Sequence, residues 1–233
     1  MRKTLTFYSL TCCNGCKLEA IGHFDSFQKL LNFYDISEFS SNDETITPSN
    51  ISIIEGNPGD QEQENLLRRI RKHSDIVIAV GACANMGGVQ SIRNNLPKKL
   101  INQDKVKTII DIIKVDYTIP GCPINHQELY QCLIDLYWGK IPTPFELPVC
   151  FECRKNENDC LIKNKKLCLG PITRGGCNSI CVNNGGPCLG CRGQISQNNS
   201  VKIAEICEPI IGQEEFTNVT TLFGQNKNKI DKK

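Results

Sequence analysis

Between Cys150 and Cys191 the chain places eight cysteines in 42 residues, at positions 150, 153, 160, 168, 177, 181, 188 and 191. Few large apolar residues accompany them, and those present keep no helical or strand period, so an oily core alone cannot offset the entropy of ordering this stretch. Cross-linking by disulfides or by bound metal must supply the difference. The chain carries 15 cysteines in all, an odd number. Its longest apolar run, Ile76 to Ala84, is about half of what a bilayer span requires. The start Met1-Arg2-Lys3-Thr4 leads into a strand-like stretch rather than a signal peptide. The expected compartment is the cytoplasm, where thiols stay reduced, and the cysteines there read as metal ligands.

The remaining composition narrows the function class. Lys and Arg number 27 against 25 Asp and Glu, with no basic stripe to neutralise phosphates, so nucleic acid is not expected as a partner; nor is direct membrane insertion. Periodicity predicts a strand from Lys3 to Leu10 and a helix from Lys17 to Leu31, then a strand at Ile51–Ile54 and an acidic-to-basic helix from Asp60 to Lys72. A strand from Asp75 to Val80, a Gly-rich turn at Gly81–Gly88, a strand-like run near Ile109–Ile119 and a helix from about Asn125 to Trp138 follow. Alternating strands and helices predict an α/β domain with a mostly parallel sheet. Pro142, Pro144 and Pro148 mark a boundary, giving a first domain at 1–141, a small irregular domain at 142–212 and a polar, flexible tail at 213–233.

In the first domain, Cys13 and Cys16 follow strand one, Cys83 follows the strand ending at Val80, and Cys122 follows the run ending near Ile119. Parallel sheets gather strand carboxyl ends on one edge, so cysteines distant in sequence converge there. Gly15, Gly81 and Gly121 beside them permit close backbone approach. A thioredoxin-like pair would explain Cys13-x-x-Cys16 but leaves Cys83 and Cys122 idle. The Gly81–Gly88 stretch lacks the Gly-Lys-Ser/Thr of a phosphate loop. In the second domain Cys150, Cys153, Cys160 and Cys168 form one set of four, and Cys177, Cys181, Cys188 and Cys191 another. Four thiolates suit zinc or a [4Fe-4S] cluster; two adjoining sets beside a third favour iron–sulfur clusters over zinc ribbons.

Cys12 stands directly beside Cys13, so either thiol could supply the first ligand. Cys132, mid-helix, and Cys207 read as inert buried thiols. His23 and His73 read as packed or solvated, and His126 as a surface histidine at a helix start in preference to a donor toward a cluster sulfur. No acidic pair has spacing for acid–base catalysis, so no catalytic residue is expected in this chain.

The succession of CNGC at 13–16, GACA at 81–84, PGCP at 120–123, VCFEC at 149–153, CLGPITRGGC at 168–177 and GGPCLGCRG at 185–193 resembles the small subunit of cytoplasmic [NiFe] hydrogenases. The likeness is greatest to the delta subunit of the NADP-linked sulfhydrogenase type, and it runs from about Thr6 to Gln194. It implies a flavodoxin-like first domain and three [4Fe-4S] clusters. Cys13, Cys16, Cys83 and Cys122 would hold the proximal cluster, Cys177, Cys181, Cys188 and Cys191 the medial, and Cys150, Cys153, Cys160 and Cys168 the distal. Electrons would pass between the Ni-Fe site of a separate large subunit and a redox partner, a diaphorase or another iron–sulfur or flavin subunit. Cys150 stands where membrane-linked relatives carry His, and Cys181 adds a fourth medial ligand; both departures point to the cytoplasmic branch. The opening residues do not read as the twin-arginine leader of exported relatives. Glu55-Gly56 matches a family pair near the subunit interface. The tandem Cys12-Cys13 also resembles a cluster-carrying subunit of complex I-like assemblies, which lacks the two further clusters. A zinc-binding structural module is the alternative of another class.

Overall fold

A computed structural model describes residues 2–39, 46–97, 99, 105–196 and 200–224. The chain divides into two compact units, Met1–Thr143 and Pro144–Lys233.

The first unit is built on a five-stranded sheet: β1 (Lys3–Ser9), β2 (Tyr34–Phe39), β3 (Ser49–Glu55), β4 (Ser74–Val80) and β5 (Tyr117–Ile119). Every adjacent pair is parallel, in the order β2-β1-β3-β4-β5. This is the flavodoxin-like winding, whose strand order reverses between β1 and β3. β3 and β4 are buried on both faces, as central parallel strands must be, which is why they read as unbroken apolar runs. Alternation along the strands divides the core. Leu5, Ile51, Ile53 and Ile78 pack with Leu129 and Leu133 of α5 (His126–Tyr137), while Tyr8, Ile54, Val77 and Ala79 pack with Leu67 and Ile70 of α3 (Gln61–Lys72). Asp60 caps α3 by accepting from Gln63 N at 2.8 Å, and Asn125 caps α5 by accepting from Gln127 N at 2.9 Å.

Four features of the first unit differ from the sequence expectation. The helix expected over 17–31 is two, α1 (Gly15–Gly22) and α2 (Phe24–Leu30), broken at His23, whose carbonyl accepts from Ser26 N and Phe27 N; Gly22 weakens continuity there. β2 carries little sequence signal, because an edge strand containing Asp35 and Ser37 shows only a half-apolar pattern. The Gly-rich turn is a short helix, α4 (Gly81–Met86), followed by a 3-10 stretch at Gly88–Asn95. The apolar run at Ile109–Ile119 is a strand only at its end; Ile109 enters the core from a turn, its N–H donating to Ala84 O. Apolar runs of this length do not by themselves distinguish strand from packed turn.

In the second unit α6 (Val149–Lys155), α7 (Ile180–Asn183), α8 (Ser200–Ile211) and α9 (Gln213–Thr221) frame an irregular backbone pinned by isolated bridges between Pro148 and Arg174 and between Thr173 and Gln194. Its apolar clusters are small, and one consists of Val149, Val182 and the cysteines Cys168 and Cys188. The expected tail is corrected over its first part: α9 is helical and buries Phe216 against Ile203 and Cys207 of α8, its few apolar residues being too short a signal to detect. Residues 225–233 lie outside the described residues. Among the described residues no helix is long and apolar enough to cross a membrane.

Candidate metal centres

The sheet's carboxyl edge gathers the first cysteine set. Cys13 and Cys16 stand on the loop after β1 and the first turn of α1, Cys83 on α4 immediately after β4, and Cys122 just beyond β5. The loops after β4 and β5 are tied by Ala82 N donating to Gly121 O at 2.7 Å. The thiols at this edge feel one another's charge: Cys83 interacts with Cys122, Cys13 and Cys12, and Cys16 with Cys122 and Cys83. Burial pushes the Cys16 thiol up to about 12 and Cys83 up to about 11, and it raises Cys122. Thiols raised in this way remain protonated near neutrality unless a bound cation replaces the protons.

Glycine makes the room. Gly81, at φ +86°, leaves a space where a Cβ would stand 2.5 Å from Cys16 Sγ, and Gly88, at φ +60°, leaves one 2.5 Å from Cys83 Sγ. Both positions combine a left-handed backbone with close approach to a sulfur, so no other residue fits without displacing a thiol. The N–H of Ile124 also points to Cys16 sulfur.

Cys12 is half-buried with its thiol raised to about 11, chiefly by burial; it donates to Asn14 Oδ1 at 3.6 Å and lies beside Glu55. Glu55, buried at the end of β3, accepts from Ser9 Oγ at 2.8 Å and from Lys17 N at 3.2 Å, placing a carboxylate between β1 and α1. Next to it Asn57 is fully buried, and its side-chain amide has no partner among the described residues.

In the second unit Cys150 and Cys153 project from α6, and Cys160 and Cys168 come from the following irregular chain. Cys150 interacts electrostatically with Cys168, Cys153 and Cys160, and its thiol rises to about 11, mainly by burial. A Cβ at Gly170 would meet Cys150 Sγ and Cys168 Sγ, each at 3.4 Å, so both sulfurs share one wall. Cys188 interacts with Cys191, and its N–H donates to Cys168 Sγ at 3.4 Å, which sets the two groups of four side by side. Burial raises Cys188 strongly, against N–H donation from Gly190 and a hydrogen bond with the Thr173 side chain. Cys181 is exposed in α7, four residues beyond Cys177; their grouping with Cys188 and Cys191 follows from sequence spacing.

Two residues here have roles that the cysteine spacing does not reveal. Glu152 of α6 accepts from Gly176 N at 3.0 Å and Asn178 N at 3.1 Å, holding the loop that carries Cys177. Arg192, buried, donates from Nε to Gly175 O at 2.6 Å, and its charge lowers the Cys177 thiol against the larger upward push of burial. Charged residues inside cysteine motifs are the available signal, but spacing alone does not say which face the metal site. Cys132 and Cys207 are buried in apolar clusters. His126 turns away from any cysteine role and pairs with Glu19.

The profile of the family described as NADH ubiquinone oxidoreductase, 20 Kd subunit, matches residues 13–136. Sulfhydrogenase 2 subunit delta of Pyrococcus furiosus is 35% identical, over 95% of this chain and 99% of its own. The chain belongs to this family of hydrogenase and NADH ubiquinone oxidoreductase subunits. Further relatives are also hydrogenase subunits: one from the F420-non-reducing hydrogenase of Methanocaldococcus jannaschii is 32% identical, over 78% of each chain. A solved NAD+-reducing [NiFe]-hydrogenase chain superposes with a TM-score of 0.55 at 25% identity, over 61% of this chain and 95% of that one. The chain is thus an oxidoreductase component, and its family's α/β fold is the one described above.

Proposed function

We propose that this chain is the electron-relay small subunit of a cytoplasmic [NiFe] hydrogenase. The observation that carries the reading is the convergence of Cys13, Cys16, Cys83 and Cys122 from three strand ends onto one edge of a parallel sheet, with glycine-made space against two of the sulfurs. These four would hold the proximal [4Fe-4S] cluster, Cys177, Cys181, Cys188 and Cys191 the medial one, and Cys150, Cys153, Cys160 and Cys168 the distal one. Each bound cluster supplies a one-electron carrier whose potential answers to hydrogen bonds at sulfur, burial and local charge. The chain's own residues set those levers: Ile124 and Gly190 N–H groups point to Cys16 and Cys188, Glu55 adds negative charge beside Cys12 and Cys16, and Arg192 adds positive charge beside Cys177. The exposed Cys13 and Cys122 open the first site to a large subunit carrying nickel and iron. The other end of the relay would meet a diaphorase, as the NAD+-reducing relative's name implies.

Ligand type supports clusters over zinc: three sets of four cysteines with no histidine among them are more typical of a chain of iron–sulfur clusters. The test is Cys83→Ser in the anaerobically purified complex, together with iron, sulfide and zinc analysis of the wild type. We expect about 12 iron and about 12 sulfide in this chain, and loss of hydrogen-driven dye reduction in the variant. Wild-type activity in Cys83→Ser, or zinc in place of iron, would overturn the reading.

A further inference from the structure

Away from the cysteines, Glu19, His23 and His126 meet at one point. Glu19 lies on the last turn of α1, and His23 follows four residues later, so helical spacing sets both on one face. His126 opens α5, 107 residues away from Glu19 in sequence. Glu19 Oε1 stands 3.1 Å from His23 Nε2 and 2.9 Å from His126 Nδ1. The two imidazoles stack, with centroids 3.3 Å apart and planes 19° from parallel, both turning a nitrogen to the same carboxylate oxygen. The three donor atoms all lie within 4.8 Å of one another. Tyr130, one turn along α5, donates its hydroxyl to Ala20 O of α1, so the two helices are pinned together by a contact outside the cluster.

We propose that Glu19, His23 and His126 form a zinc-class divalent metal site, independent of the cysteine assignments. Three donors about 2.0–2.1 Å from a tetrahedral ion lie about 3.3 Å apart, close to the two separations from Glu19. Two imidazole nitrogens and one carboxylate oxygen suit zinc or a neighbouring transition ion, and supply too few oxygens for calcium or magnesium. A ligating nitrogen's lone pair lies in its ring plane, so the exposed His23 ring turns out of this stack when both imidazoles hold one ion. His23 is 45% exposed, so water reaches the fourth position. The ion would clip the α1–α2 junction to the start of α5, stiffening the helix that carries Cys16.

The probe is Zn2+, added to the anaerobically purified complex after chelator treatment and desalting. The wild type is expected to take up one equivalent of zinc more than Glu19→Gln or His23→Ala, with affinity in those variants at least ~10-fold weaker. X-ray absorption of the added zinc should show nitrogen and oxygen neighbours without sulfur. Iron content reports whether a variant has kept its fold, and the wild-type absorption measurement needs no variant. Equal zinc uptake by wild type and His23→Ala, or sulfur around the added zinc, overturns the site and leaves a proton-shared His–Glu–His cluster.

Discussion

Replacing Gly81 by alanine tests the claim that a glycine-made space houses the first metal centre. Two costs are expected. The backbone at φ +86° lies in the left-handed region, which costs an L-residue roughly 1–2 kcal/mol. The new Cβ would also stand 2.5 Å from Cys16 Sγ, and ordinary contact begins at 3.4 Å, so 3.4 − 2.5 = 0.9 Å must be found. Cys16 packs against the core shared by β1, β3, β4 and α5 and has little freedom to retreat, so this overpacking adds roughly 1–3 kcal/mol. Gly139→Ala is the control: at φ +70° it carries the same kind of backbone cost, with nothing within 4 Å of the added Cβ. The assay is the thermal midpoint and iron content of the anaerobic complex for both variants. Gly139→Ala should lower the midpoint by a few degrees and keep its iron, whereas Gly81→Ala should fall further and lose about four irons per chain. Full iron retention by Gly81→Ala, with a midpoint equal to that of Gly139→Ala, would refute the reasoning.

Two further outcomes separate structural from ligating groups. Cys132→Ser and Cys207→Ser each place a hydroxyl in an apolar cluster and should cost about 1–3 kcal/mol in unfolding experiments while leaving iron content unchanged; iron loss from a stable variant would make that thiol a ligand. Glu152→Ala removes the acceptor of two backbone N–H groups beside Cys177 and should destabilise the loop by about 2 kcal/mol. It should therefore speed iron removal by a chelator; an unchanged rate would show that Glu152 does not hold the Cys177 loop at the metal site.

How much is legible in the sequence depends on whether the signal is local. β3, β4, α3 and α5 announce themselves because each buries a continuous run or a stripe between clear caps, and Asp60 and Asn125 cap where the pattern begins. The break at His23 and the helix at Gly81–Met86 are not legible, since glycines at 22, 81, 87 and 88 punctuate the chain without saying whether helix or turn results. The cysteine spacing predicts sites at the strand ends, but Glu152 and Arg192 acquire meaning only once the Cys177 loop is folded over them.

Residue type and short-range period carry the candidate chemistry and the fold class: cysteine number and spacing point to metal ligation, and alternating apolar runs to a parallel sheet. Which groups meet is settled by the packing of the folded chain. Glu19 and His126 are separated by 107 residues, as distant in the chain as any unrelated pair, and no periodicity encodes their approach. Their meeting follows from the docking of α5 against α1, a consequence of which core faces pack rather than of any local motif.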